Sequence, residues 1–165
     1  MIEKFTKIST GVFTQIITES FGMSDRGQVD ITYSIGPKSG VSYPASPLLI
    51  AIINEGQKYG YYSNLAQNTC NFPTLFREVI YGNGNLTYYT PSADLYTVLI
   101  MQCRDGNPLS PVSANVQVTM KNPKPTGSGY QYLPINVVSY ISILEGLIIC
   151  YCILIGALVL QMAFA

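Results

Sequence analysis

Residues 135–160 contain no Lys, Arg or Asp and a single Glu, Glu145. As a helix rising 1.5 Å per residue the run is about 39 Å long, and a bilayer core of about 30 Å takes about 20 apolar residues. Pro134 stands just before it, where a helix start tolerates proline because the missing N–H would be unpaired anyway. The competing reading is a buried core helix of a soluble domain, but such helices are usually shorter. The run predicts a transmembrane helix over residues 133–162, with the lipid bilayer as its first partner. Everything before it then reads as what the helix holds.

What precedes the helix is about 130 residues, enough for one domain with a real core. The chain is 48% hydrophobic and 11% charged, against a usual charged share of about 25%. Nine basic and nine acidic residues cancel, so there is no electrostatic footprint for nucleic acid. Histidine is absent, which removes the commonest general base and the commonest metal ligand together. Thirteen Tyr, ten Pro and fourteen Gly suit a β-rich, turn-rich domain.

The patterning along the chain agrees. Residues 1–11 read as a polar tail or a first edge strand, and 12–18 as a strand. Turn chemistry at 21–28 leads into 29–35, where Val29, Ile31, Tyr33 and Ile35 alternate onto one face. After a loop over 36–47, the continuous apolar run 48–53 predicts a central strand buried on both sides, and 58–62 a partner strand returning beside it. Residues 78–81 and 85–90 around Gly82-Asn83-Gly84 read as a β-hairpin. Residues 95–103 predict another buried strand; Val112, Ala114, Val116, Val118 and Met120 share one face of a last strand. Seven or eight short strands predict an all-β sandwich over residues 12–121. A linker over 122–132 joins it to the helix, flanked by Tyr130, Tyr132 and Tyr140 as interfacial aromatics.

Cys70 and Cys103 lie in the domain, Cys150 and Cys152 in the apolar run. One pair in a small domain predicts a disulfide in an oxidising compartment, worth about 3–4 kcal/mol for a loop of this length, with two reduced thiols as the alternative. A zinc site would need more ligands than two cysteines without histidine, and no cofactor is expected. Packing is the simpler role for Cys150 and Cys152, acylation the alternative. Asn85-Leu86-Thr87 is a glycosylation sequon, and with the cysteine pair it favours a lumenal or extracellular domain. Residues 1–20 lack the apolar core of a signal peptide. Lys121 and Lys124 precede the span with nothing basic after it, which reads as a cytoplasmic N-terminus. A chain missing a leader and later helices would explain both.

Phe21, Gly22, Gly27, Val29 and Ile31, the strand ending Leu95-Tyr96 to Cys103, and the last strand with Asn122-Pro123 followed by Tyr132-Leu133-Pro134 together resemble the lumenal domain and first helix of the GOLD-domain seven-transmembrane family. The p24-type GOLD proteins are the single-span relatives. The resemblance covers about residues 12–160 and departs from the family at Arg26-Gly27, where two glycines are usual, and in the absence of six further helices. It implies a lumenal β-sandwich in the Golgi or another endomembrane, acting in protein transport or in recognition of lumenal cargo or a ligand.

Inside the span an ionisable residue usually faces a partner or a water cavity. Ser142, Glu145, Ile149, Cys152 and Gly156 follow 3- and 4-residue steps and so form one stripe. Small and polar residues permit close helix contact, so the stripe predicts other transmembrane helices, on a missing part of this protein or on a partner subunit. Elsewhere no nucleophile–base pair is evident: Asp25 falls in a turn, Asp30 on a polar face, and Gly82-Asn83-Gly84-Asn85 lacks the Lys and following helix of a phosphate loop. The expectation is a membrane-anchored recognition module with no enzymatic activity, or else a small accessory subunit that docks its helix into a larger complex.

Overall fold

A computed structural model describes residues 2–9, 13–18, 20–37, 47–65, 72–102, 112–124 and 128–163. In chain order the strands are β1 (Ile2–Ser9), β2 (Phe13–Ile16), β3 (Phe21–Met23), β4 (Gln28–Pro37) and β5 (Leu48–Asn54). A 3₁₀ turn (Glu55–Gln57) and α1 (Lys58–Leu65) follow. Then come β6 (Phe76–Ile80), β7 (Asn83–Tyr89), β8 (Asp94–Gln102), β9 (Val112–Pro123), β10 (Tyr130–Gln131) and the C-terminal helix α2 (Ile135–Ala163).

Two antiparallel sheets form a sandwich. One has the order β1-β9-β4-β7 with β10 added beside β9; the other is β2-β8-β5-β6 with β3 also on β8. Alternation does what it predicts: Val29, Ile31 and Ile35 of β4 and Val112, Ala114, Val116, Val118 and Met120 of β9 all point inward and are buried. They meet Leu48, Ile50 and Ile52 of β5 and Tyr96, Val98 and Ile100 of β8. The intervening residues Ala51, Ile53, Leu99 and Met101 are equally buried, in a second cluster with Tyr61 and Phe72 on the outer side of that sheet. This is why β5 and β8 read as unbroken apolar runs.

Three expectations are corrected, and a fourth is decided between its two alternatives: residues 2–9 are the first edge strand and not a tail, pairing with residues 112–119 of β9. Residues 58–62 belong to α1 and not to a strand. Asn54 starts the turn before it, its Oδ1 accepting from Gln57 N at 3.1 Å while Gln57 Oε1 accepts from Asn54 N at 3.3 Å, a reciprocal cap that opens a helical turn. The outer face of β5 and β8 also needs an apolar cover, and Tyr61 supplies one; tertiary demand overrides the β propensity of a tyrosine-rich segment. The hairpin at 78–90 is absent as well. β6 pairs with β5 and β7 with β4, so the chain changes sheets at Gly82. A hairpin would leave the outer edges of both β4 and β5 unpaired, whereas the crossing covers each. Gly82 has φ +56, which glycine adopts without steric cost, and its carbonyl accepts from Ile35 N at 2.7 Å. The Asn-Gly pair itself, Asn83-Gly84, is extended backbone inside β7, and the left-handed residue is Gly82 before it. Finally, the linker is partly ordered strand: β9 runs on to Pro123, and Tyr130 and Gln131 fold back onto Pro123 and Asn122. Ten strands among the described residues exceed the expected seven or eight, the additions being the edge strand β1 and the short β3 and β10.

In the turn between β3 and β4, Arg26 holds φ +60 while its N–H donates to Thr90 O at 2.9 Å. A left-handed backbone costs a non-glycine residue about 1–2 kcal/mol. Arg26→Gly is therefore expected to raise stability by up to about 1 kcal/mol once the added unfolded-state freedom of glycine is subtracted. Equilibrium urea unfolding followed by far-UV circular dichroism checks it; a loss of stability would mean that the arginine side chain contributes more than its backbone costs.

α2 is one helix of 29 residues, with side chains described over 143–156 and at Gln161. The described stretch 143–156 is shorter than a membrane crossing, and among the described residues no helix is long and apolar enough to make one.

Candidate functional site

Two constellations stand out, one at the base of α2 and one on the outer face of the second sheet. The first is built on strand parity. Residue 122 continues the inward set 112–120 of β9, so the fold buries an asparagine, 1% exposed. A buried amide must find partners. Asn122 Nδ2 donates to Gly22 O and to Leu133 O, both at 2.9 Å, and its Oδ1 accepts from Ser24 N at 2.8 Å. One side chain thus ties β3, the turn after it and the residue just before Pro134 and α2. Around it Thr90 Oγ1 donates to Ser24 O at 2.6 Å, and Thr90 N donates to Gly27 O at 2.8 Å. A Cβ on Gly27 would lie 2.8 Å from Met23 Cε, 2.9 Å from Thr90 Oγ1 and 3.1 Å from Asn122 Oδ1, so this position has room only for hydrogen.

Next to the knot, on the solvent side of the first sheet, Asp30 Oδ2 pairs with Lys121 Nζ at 2.8 Å. Asp30 Oδ1 accepts from Gln28 Nε2 at 2.7 Å and Thr87 Oγ1 at 2.9 Å. Lys121 also lies 4.9 Å from the centre of the Tyr130 ring, a cation–π distance. Partial burial pushes the Asp30 carboxyl upward, but the hydrogen bonds from Lys121, Gln28 and Thr87 and the Lys121 charge outweigh it and hold the group below its ordinary value. The Asp30 hydrogen bond raises Lys121, against a smaller effect of desolvation. The stability from Asp30 is therefore fully present above the ordinary carboxylate pKa and lost as pH falls through the lowered folded value. That from Lys121 is present below the ordinary lysine pKa and lost as pH rises through the raised folded value. For a pair whose side chains are only partly covered, 19% and 30% exposed, solvent screening holds the contribution at neutral pH to about 1 kcal/mol. Asp30→Asn is expected to lower stability slightly at neutral pH and to flatten the acid limb of a urea-midpoint profile; an unchanged acid limb would exclude the pair as its source.

The second constellation lies where β2 breaks off and β3 begins. Ile17 and Thr18 N–H groups both reach Val98 O, at 2.9 and 3.4 Å, while Thr18 Oγ1 accepts from Val98 N at 3.0 Å. This interruption turns Thr18 and Ser20 toward the end of α1. Ile16, Thr18, Ser20, Lys58, Tyr62 and Thr97 line an open cleft of about 370 Å³ there. Lys58 Nζ pairs with Glu55 Oε2 at 2.6 Å and donates to Ser20 Oγ, which lies 3.3 Å from Thr97 Oγ1. Because Lys58 is held as a donor by a carboxylate, it is not placed to take a proton from Ser20, and the pair is not a nucleophile with its base.

The residues singled out from the sequence are scattered. Cys70 and Cys103 lie outside the described residues. Asn85 is exposed on β7, paired with Thr32 across to β4. Glu145, Ile149 and Cys152 are exposed along α2, and the Cβ of a residue at Gly156 would meet nothing within 4 Å; the Ser142 side chain lies outside the described residues. The stripe falls along one continuous helix. Among those residues no group of three or more Cys, Asp or Glu is gathered for a metal ion. Asn122 and the Ser20–Lys58–Thr97 cluster escaped the sequence reading. The signal for Asn122 was there: a polar residue on the inward parity of an otherwise apolar strand face.

No family model and no curated protein matches the chain. Among solved structures, the chain is similar to an Aeromonas hydrophila periplasmic inhibitor of g-type lysozyme, at 14% identity over 72% of this chain and 85% of that one, with a TM-score of 0.42. It is similar to a protein of Bacillus endospore appendages, described as disulfide-linked pili, at 10% identity over 72% and 83%, TM-score 0.35. The Yersinia pseudotuberculosis-derived mitogen matches at 11% identity over 82% and 98%, TM-score 0.40. Likeness at this level transfers no residue and no activity to this chain.

Proposed function

We propose that this chain is a membrane-anchored recognition module of the secretory pathway: α2 crosses the bilayer, and a GOLD-like sandwich stands in the lumen to take part in protein transport or in cargo or ligand recognition. The carrying observation is the surface of α2. Ile143, Leu144, Leu147, Ile148, Ile149, Tyr151, Ile153, Leu154 and Ile155 are each about half exposed or more, and at about 100° per residue they leave open only a narrow arc of its circumference. A helix apolar on nearly every side belongs in lipid or in a large core. The sandwich already has a closed core of its own. Asn122 supports the reading from the other side, since it fastens the domain to the residue before Pro134 and so sets its orientation on the anchor.

The accessory-subunit reading keeps one specific support. The arc left open by those large apolar residues holds Glu145, Cys152 and Gly156, the polar and small positions that suit a neighbouring helix. Alkaline carbonate treatment of microsomes carrying the full chain tests the anchor. The chain is expected in the membrane pellet, protected from added protease until the vesicles are opened, and Leu147→Lys with Ile148→Lys should release it to the supernatant. Quantitative extraction of the unaltered chain would overturn the anchor; digestion in sealed vesicles would overturn the lumenal placement.

A further inference from the structure

The cleft beside α1 is a gap in a roof. Tyr61 on α1 covers the apolar outer cluster of Ala51, Ile53, Leu99 and Met101, but α1 is eight residues long and leaves the neighbouring outward positions to Thr97, Thr18 and Ser20. Those positions carry hydroxyls; Thr18 and Thr97 are buried at the floor, 0% and 1% exposed, and Ser20 presents the exposed hydroxyl. A hydroxyl both donates and accepts. Lys58 adds a donor, and Glu55, 2.6 Å from its Nζ but not itself in the lining, offsets its charge, so a free anion finds no uncompensated cation. Tyr62, 55% exposed, forms one wall with an aromatic ring, and Ile16 adds an apolar patch.

We infer that this cleft binds one neutral sugar unit. A pyranose ring needs these complements together: mixed donors and acceptors for hydroxyls that do both, and an aromatic face for its C–H side. The volume, about 370 Å³, is near the small end of ligand pockets, which run from about 300 to 1,000 Å³. It holds one ring, and the open side lets a longer glycan continue into solvent. The inference rests on the reading of the sandwich as a recognition domain and specifies what that domain recognises.

The test uses the full chain in lipid nanodiscs, since glycoside detergents would compete. Methyl glycosides of glucose, galactose, mannose and N-acetylglucosamine are offered by saturation-transfer NMR and calorimetry, with acetate and inorganic phosphate as anion probes. At least one glycoside should bind and neither anion should. Tyr62→Ala and Lys58→Met should each weaken that binding by about tenfold or more, equivalent to about 1.4 kcal/mol. Tyr59→Ala, on the same helix and 82% exposed but outside the cleft, should change nothing. Near-UV circular dichroism of each variant separates lost binding from lost folding. Glycoside binding that survives Tyr62→Ala would overturn the site. Anion binding abolished by Lys58→Met, with no glycoside bound, would overturn the sugar assignment and leave the recognition reading standing. No binding by any probe would overturn the sugar assignment and remove the cleft from the recognition reading.

Discussion

Asn122→Ala is expected to lower the stability of the sandwich by about 3 kcal/mol, a fall in melting temperature on the order of 10 °C for a domain of this size. The alanine leaves Gly22 O, Leu133 O and Ser24 N without the bonds that the amide supplies. A buried polar group left unpaired costs about 1–3 kcal/mol, and Leu133, nearer the surface, regains part of its loss from water. Asn122→Asp distinguishes the two halves of the amide. It keeps an acceptor for Ser24 N but loses both donors and sets a carboxylate against two carbonyl oxygens, so at neutral pH it should be no better than alanine. On acidification it should recover part of the loss, as the protonated carboxyl regains one donor. Melting followed by circular dichroism in nanodiscs, across pH, checks both variants. Equal melting of Asn122→Ala and the unaltered chain would mean that the knot holds nothing.

Tyr96→Ala carries the largest expected effect, about 4 kcal/mol. Tyr96 is fully buried in the middle of the sandwich, on β8 between β3 and β5, where Phe21 and Asn54 are its cross-strand partners. Its removal opens a cavity between two sheets that are each held by ladders and cannot collapse into it. Its hydroxyl donates to Ser92 O at 2.8 Å, which separates the ring from the polar tip. Tyr96→Phe keeps the packing and loses one hydrogen bond, for about 1 kcal/mol. Urea unfolding of the pair should give a ratio of about four between the two losses. Similar losses for both would place the stability in the hydroxyl and not in the ring.

The strands of the core were legible because each carries its burial pattern within itself. Val29 to Ile35 alternate, Leu48 to Ile53 do not, and both patterns survive in the sandwich as one-sided and two-sided burial. α1 was not legible. Its segment Lys58 to Leu65 has no helical apolar stripe, and it becomes helix because Asn54 and Gln57 cap the 3₁₀ turn that leads into it and because an outer sheet face needs Tyr61. Nor was the sheet change at Gly82 legible, since Gly82-Asn83-Gly84 marks a turn but not which of its residues is left-handed, nor which edge the next strand will meet. The same limit hid the cleft. Ser20, Lys58 and Thr97 are far apart in the chain, and only the break between β2 and β3 turns them toward each other.

The apolar run after Pro134 was explicit in composition alone, and so was the presence of a β-rich domain before it, because hydrophobic periodicity is a local property that each segment expresses without its neighbours. Pairing, crossing and enclosure are not local. Asn122 reads as one polar residue in a linker until β9 extends through it and sets its amide against Gly22, Ser24 and Leu133. That Asn122 bonds the residue before Pro134 was decided in three dimensions, since a buried amide takes its meaning from the groups the fold brings within reach.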